Sequence, residues 1–162
     1  MSAPGRPKHE SPSAQREGTP MSHDAVGRVR AFFESISPEE VRRIDEIYAA
    51  DAYFKDPFNE VRGIEPIRRI FKHMFEQVDS PRFVVREVVA EGGGAFLTWD
   101  FLFYARRLGS HEQMIHGATH LKFDADGRVS YHRDYWDAAE ELYEKIPLLG
   151  GLMRAVKRHA AR

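Results

Sequence analysis

From Asp24 onward the apolar positions fall at helical spacing: Val26, Val29, Phe32 and Phe33 share one side of DAVGRVRAFFESI. The next stretch, SPEEVRRIDEIYAAD, offers Ser37 as an N-cap, Pro38 at the first helical position and Glu40 to complete a capping box. Val41, Ile44, Ile47 and Tyr48 then line up as one stripe, which predicts a second helix before Asp51. The clearest pattern is GIEPIRRIFKHMFEQV. Ile67, Ile70, Phe71, Met74, Phe75 and Val78 make one face and Arg68, Arg69, Lys72 and Glu76 the other, as in a long amphipathic helix.

From Pro81 the period changes to that of strands. RFVVREVVAE, AFLTWDFLFYAR, MIHGATHLKF and VSYHRDYWD are joined by Gly92-Gly93-Gly94, by the polar connection LGSHEQ and by a DADG turn, which predicts an antiparallel meander. Val84, Val85, Phe96, Trp99, Phe101, Phe103, Leu121, Phe123 and Trp136 supply more bulk than one flat face needs. Three helices followed by a long sheet is an α+β order of elements. The expected architecture is a cone-shaped barrel, in which a curved antiparallel sheet wraps around the long helix behind the N-terminal helices. Such a cone has apolar walls, a mouth and a pocket. AAEELYEKI and LLGGLMRAVKRHAAR add a further helix, a break at Pro147 and a basic amphipathic end, expected to be a solvated terminal helix.

Composition sets the limits of this picture. With 162 residues, 42% of them hydrophobic, the chain can bury one core. Residues 1–22 are rich in Pro, Ser, Gly and charge and are expected to form a disordered tail, with Met21 as an alternative start. Residues 23–146 are then the domain and residues 147–162 a basic C-terminal tail. The 24 basic and 25 acidic side chains nearly balance, which argues against a nucleic-acid partner. The absence of cysteine excludes disulfides, thiolate nucleophiles and cysteine metal sites. No apolar run reaches a membrane span and no leader-like hydrophobic segment is present, so a cytoplasmic location is expected. Neither a Gly-x-Ser-x-Gly elbow, a phosphate-cradling glycine loop nor His-Glu-x-x-His occurs, and no cofactor is expected.

Candidate chemistry comes from carboxylates set among apolar residues. In AFLTWDFLF, period-two alternation puts Asp100 with Phe96, Thr98 and Leu102, opposite Leu97, Trp99, Phe101 and Phe103. Both faces are largely apolar, so Asp100 is expected to be shielded and therefore paired, hydrogen-bonded or protonated. In YHRDYWD, His132, Asp134 and Trp136 share a face, which sets an imidazole and a carboxylate beside an indole. His116 and His120 also share a face, but roughly 13 Å apart along a strand they are too far separated for one metal ion. Asp56 lies between Tyr53-Phe54 and Pro57; it either braces the turn that Pro57 enforces or points at a ligand.

YAADAYFKDPF, RGIEPIRRIF, THLKFDADGRV and HRDYWD together resemble the nuclear-transport-factor-two-like superfamily over about residues 24–145. This superfamily includes ketosteroid isomerases, SnoaL-like polyketide cyclases and limonene-type epoxide hydrolases. The resemblance to the isomerases implies a general base at Asp56, with Phe32 and Thr119 where those enzymes keep their oxyanion donors. The resemblance to the cyclases implies an acid–base aspartate at Asp134. Their histidine position falls on Thr119, with His120 adjacent and brought inward if a one-residue bulge intervenes. The resemblance to the hydrolases implies Asp134 and Asp100, with Thr98 in place of their arginine.

The expectation is a SnoaL-like pocket protein acting without a cofactor, by proton transfer, on a small or polycyclic hydrophobic molecule. It would work as an isomerase, cyclase or hydrolase. Asp134 is its principal acid–base group, Asp56 a second base at the mouth, and Asp100 and His132 orienting groups. Phe32, Tyr53, Trp99, Thr119, His120 and Trp136 are expected to line the pocket. The alternative is a non-catalytic ligand-binding or assembly module, and in either case a homodimer formed through the sheet face.

Overall fold

A computed structural model of the chain describes residues 20–105, 109–141 and residue 159. The expected tail up to residue 19 and nearly all of the expected C-terminal tail lie outside the described residues. Helix α1 (Pro20–Glu34) starts ahead of Asp24 and takes in residues 20–22. Helix α2 (Pro38–Arg42) is capped as the sequence predicts, the Ser37 hydroxyl accepting from the Glu40 amide at 3.2 Å.

The second helix ends early. A 3-10 turn (Ile44–Glu46) leads directly into strand β1 (Tyr48–Lys55), so Tyr48 opens a strand and does not close a helical stripe. Val41, Ile44 and Tyr48 are buried all the same. A short strand β2 (Glu60–Arg62) folds back on β1 before the long helix α3 (Ile64–Gln77). The meander follows as β3 (Asp79–Glu91), β4 (Gly94–Tyr104), β5 (Gln113–Phe123) and β6 (Val129–Tyr135), with a short helix α4 (Ala138–Glu141) after it.

The six strands are ordered β2-β1-β6-β5-β4-β3 in one sheet. Neighbours from β3 to β6 are antiparallel, whereas β1 runs parallel to β6. The sheet is therefore mixed, not wholly antiparallel, and among the described residues it is open, with β2 and β3 as its edges. Gly92 and Gly93 turn β3 into β4 with φ of +60° and +97°, the pair of positive values that a two-residue hairpin turn needs. A register shift between Val85 and Glu87 adds Arg86 to β3 as a bulge.

Alternation then decides which side chains meet the helices. Ala95, Leu97, Trp99 and Phe103 of β4 are buried on the inner face, while Phe96 and Tyr104 are exposed on the outer one. The core joins Val29, Phe32 and Phe33 of α1 and Ile67 and Phe71 of α3 to Phe54, Val85, Leu97, Leu121 and Val129 of the sheet. Each such side chain contributes about 1.5–3 kcal/mol by leaving water. Beyond this core, Trp99, Phe103 and Ile115 form a second cluster with Trp136 packed on its edge. Among the described residues no helix is long and apolar enough to cross a membrane.

Candidate functional site

The centre of the site is built on facing residues of β5 and β6. Thr119 pairs with Asp134 and Leu121 with His132 in the antiparallel register, so Thr119, His132 and Asp134 all point inward. His132 is almost wholly buried, and its two ring nitrogens are both engaged. Nδ1 lies 2.8 Å from the Tyr48 hydroxyl and Nε2 lies 2.8 Å from Asp134 Oδ1. The Thr119 hydroxyl donates to the same Oδ1 at 2.5 Å, and Trp99 Nε1–H donates to the Thr119 oxygen at 2.8 Å.

With Asp134 ionised and His132 neutral, these contacts admit one consistent assignment of protons. A carboxylate only accepts, so His132 donates from Nε2 and Thr119 donates its hydroxyl proton. Nδ1 is then an acceptor, and it takes the Tyr48 O–H. Burial, followed by the negative charge of Asp134, pushes the Tyr48 phenol well above its ordinary range, so that O–H stays in place as a donor. Four buried groups thus direct their protons along two chains, Tyr48–His132 and Trp99–Thr119, that meet on Oδ1. Oδ2 has no hydrogen-bond partner among the described residues, and the Asp134 side chain keeps 18% of its surface exposed.

Asp134 stands where two spaces meet. Behind it is an interior cavity of about 30 Å³, walled by Phe33, Phe71, Phe83, Leu97, Trp99 and Leu121 together with the polar edge of Thr119 and His132. That is water-sized, since a cavity needs about 10–15 Å³ to admit one water molecule. In front is an open mouth of about 580 Å³, framed by Lys55, Asp56 and Pro57 at the end of β1 and by Arg133 through Asp137 at the end of β6. A ring-sized ligand fits the mouth, and only a small group reaches the interior.

The other expected site residues divide sharply. Trp136 lines the mouth, edge-on to Phe58 at 5.4 Å. Trp99 lines the interior cavity and orients Thr119, so it does not stack on a ligand in the mouth. Asp56 also borders the mouth, but its carboxylate is committed to the turn. Oδ1 accepts from the Phe58 and Asn59 amides at 2.7 and 2.6 Å, and the Asn59 side-chain amide bridges both oxygens.

Phe32 is a core residue packed on Phe71, and its neighbour Phe33 is the one that reaches the cavity. Tyr53 is on the outer face, stacked on Tyr131 at 5.3 Å with its hydroxyl on Glu60. His120 is outside too, stacked on Phe96 at 4.3 Å. The irregularity between β5 and β6 falls at Lys122 and Phe123, too late to turn His120 inward. Desolvation against these rings, with Lys122 adding, lowers the His120 imidazole below its ordinary range.

Asp100 also lies on the outer face, away from Asp134. It is 6% exposed and paired on both oxygens: His116 Nδ1 approaches Oδ1 at 2.6 Å, and Arg86 Nε donates to Oδ2 at 2.7 Å. The hydrogen bond with His116 holds its carboxyl below the usual carboxylate range, with Arg86 adding to this and burial opposing it. A carboxyl depressed in the folded state stabilises the fold above its unfolded value, about pH 3.9, and that contribution is lost as the pH falls through the lower folded value. The stability difference between the wild type and Asp100→Asn is therefore expected to be full at pH 7, to start shrinking as the pH falls below about 4, and to be lost below the depressed folded value. Urea denaturation of both proteins across that range checks this, and a difference that persists unchanged at pH 3 contradicts it.

Tyr48 and Phe33 are the site residues that sequence patterns did not single out. Tyr48 also fits a helical stripe, and the signal that it belongs to β1 is its pairing with distant Val129. Among the described residues no group of His, Asp and Glu side chains is arranged to hold a metal ion.

Comparison with known proteins supports the fold. An LEH-like epoxide hydrolase from M. tuberculosis superimposes with a TM-score of 0.64 at 21% identity, covering 86% of this chain and 99% of that one. A protein from Jannaschia sp. CCS1 described as a SnoaL-like polyketide cyclase gives 0.63 at 17% identity, covering 77% and 93%. A protein with a ketosteroid isomerase-like fold from Catenulispora acidiphila, solved with trimethylamine, gives 0.63 at 14% identity, covering 74% and 89%. No curated protein sequence matches the chain significantly. The model of the SnoaL-like domain matches residues 29–132, which span α1 to His132, and the chain belongs to this SnoaL-like domain family.

Proposed function

We propose that the chain is a cofactor-independent acid–base catalyst, with Asp134 as the group that exchanges a proton with the ligand. The supporting observation is the asymmetry of its carboxylate. Oδ1 is fixed by His132 and Thr119, while Oδ2 is unpartnered at the junction of the cavity and the mouth. A base held by one oxygen and offered by the other is oriented without being consumed by its own hydrogen bonds. The Tyr48–His132 pair lends it further polarisation. When Asp134 takes up a proton on Oδ2, Oδ1 keeps its two donors and the geometry survives the step.

A small or ring-sized hydrophobic molecule would sit in the mouth against Trp136, its reacting atom at Oδ2. Isomerisation, aldol-type cyclisation and hydration each need a base that removes a proton, from carbon or from water, and an acid that returns one to the product, and Asp134 can take the proton on Oδ2 and give it back. The test is turnover of a panel of ketones, polyketide-like diketones and epoxides by the wild type and Asp134→Asn. Activity that needs Asp134 supports the reading, and activity indifferent to it, or none in the wild type, rejects it.

A non-catalytic pocket or assembly module is the second reading, favoured by the outer sheet face. Val89, Phe96 and Met114 are 66%, 51% and 49% exposed there, which a homodimer in the cytoplasm would cover. Light scattering should then give about twice the chain mass of 18.7 kDa, and a monomer at micromolar concentration excludes the dimer.

A further inference from the structure

The mouth carries five charged side chains, and most are already occupied. Asp56 is held by the Phe58 and Asn59 amides. Asp137 accepts from the Glu140 amide at the start of α4. Lys55 is bound to Glu60 at 2.5 Å, and Glu60 also takes the Tyr53 hydroxyl. Two charged groups are left with open valences facing this space: Asp134 through Oδ2, and Arg133.

Arg133 sits beside Lys55 in the parallel register of β1 and β6. Its guanidinium carbon lies 4.8 Å from the centre of the Tyr135 ring. It makes no hydrogen bond or ion pair among the described residues. A guanidinium held over an aromatic ring has lost part of its freedom, and that contact does not use its forked N–H donors. That is a positioned, unused donor set of the kind that takes a carboxylate or phosphate through two parallel hydrogen bonds.

We propose that Arg133 recognises an anionic group on the ligand. The ligand is then an amphipathic molecule with a carboxylate or phosphate at the rim, an apolar body against Trp136, and its reacting atom at Asp134. This rests on the acid–base reading for the identity of the reacting end, but it makes a claim about binding that turnover does not enter. The neighbouring carboxylates are already engaged: Asp56 and Asp137 accept from backbone amides, and Glu60 is paired with Lys55.

The test uses four naphthalene probes of similar size: 2-naphthoate, 2-naphthyl phosphate, uncharged 2-acetylnaphthalene and 2-naphthylmethylammonium. Binding to the full-length protein is measured by calorimetry at low ionic strength, where surface charge is least screened. At least one anion is expected to bind about tenfold more tightly than the ketone, in line with a charge-assisted hydrogen-bonded pair. Whichever anion binds more tightly identifies the group. In Arg133→Gln the preference should fall to within about twofold, with binding of the ketone unchanged. Arg133→Lys should keep part of the preference, since it retains the charge and loses the fork. Circular dichroism of each variant guards against misfolding.

The proposal is overturned by wild-type binding of the ketone or the ammonium probe as tight as that of both anions, by failure of every probe to bind, or by a preference that survives in Arg133→Gln. Asp134→Asn separates the two readings. Failure of the acid–base reading appears as unchanged turnover in that variant, whereas the anion preference should persist in it whatever happens to turnover.

Discussion

Asp134→Asn is expected to lower turnover by about 10²- to 10⁴-fold, the range over which a positioned general acid–base group contributes. The substitution is close to isosteric. The amide oxygen can still accept from Thr119 and His132, so the buried line from Tyr48 to Trp99 keeps its partners and folding should be little changed. What is lost is the ability of the free position to take up a proton, because an amide nitrogen there is a donor with no useful basicity. Asp100→Asn and Asp56→Asn serve as controls of opposite meaning. Asp100 belongs to the outer face with Arg86 and His116, and Asp56 belongs to the turn with Phe58 and Asn59. Both should change stability by about 1 kcal/mol or more while leaving turnover within a few-fold. A result in which Asp56→Asn matched Asp134→Asn would move the chemistry from the throat to the rim.

Gly117→Ala is expected to damage the site from behind. Gly117 pairs with Trp99 across β4 and β5, and the indole lies over the space where a side chain would stand. An added Cβ would lie 2.6 Å from Cζ2 and 2.9 Å from Cζ3 of Trp99, and closer still to Cη2. These atoms belong to a rigid ring buried against Phe83, so relief requires the whole indole to move. Overpacking of this kind costs about 1–3 kcal/mol. At about 2–4 °C per kcal/mol for a chain of this size, the melting temperature should fall measurably.

Movement of the indole would also withdraw Nε1–H from Thr119, leaving the hydroxyl free to rotate away from Asp134. Tryptophan fluorescence and turnover should therefore change together. In a Trp99→Leu background the same Gly117→Ala change should cost clearly less, because the two residues share one volume. Equal costs in both backgrounds would show that the glycine serves some other purpose.

The site could be read from sequence where local periodicity was enough to fix direction. Alternation by two put His132 and Asp134 together and set Asp100 opposite Trp99, and both placements hold in the sheet. The Gly92-Gly93 hairpin and the Ser37 cap are equally local and are found as expected. What was not legible depends on distant pairing. Tyr48 fits a helical stripe as well as a strand, and only the parallel union of β1 with β6 decides between them.

Phe32 and Phe33 are adjacent on α1, and the roll of that helix on the sheet determines which of them reaches the cavity. His120 faces outward because the strand irregularity comes after it and not before it. Asp56 shows a different limit. Its place beside Pro57 is compatible with both a brace and a base, and three donors from Phe58 and Asn59 converge on its Oδ1 to brace the turn.

The most direct measurement is solvent-deuterium incorporation into the C–H bonds beside the carbonyl of a ketone panel, followed by proton NMR. It reads proton exchange at the ligand without needing the full reaction. With the wild type, at least one ketone should exchange faster than in buffer alone. Asp134→Asn should return that rate to the buffer value, while Asp100→Asn leaves it in place. Exchange that continues undiminished in Asp134→Asn would contradict the assignment of Asp134 as the proton-transfer group.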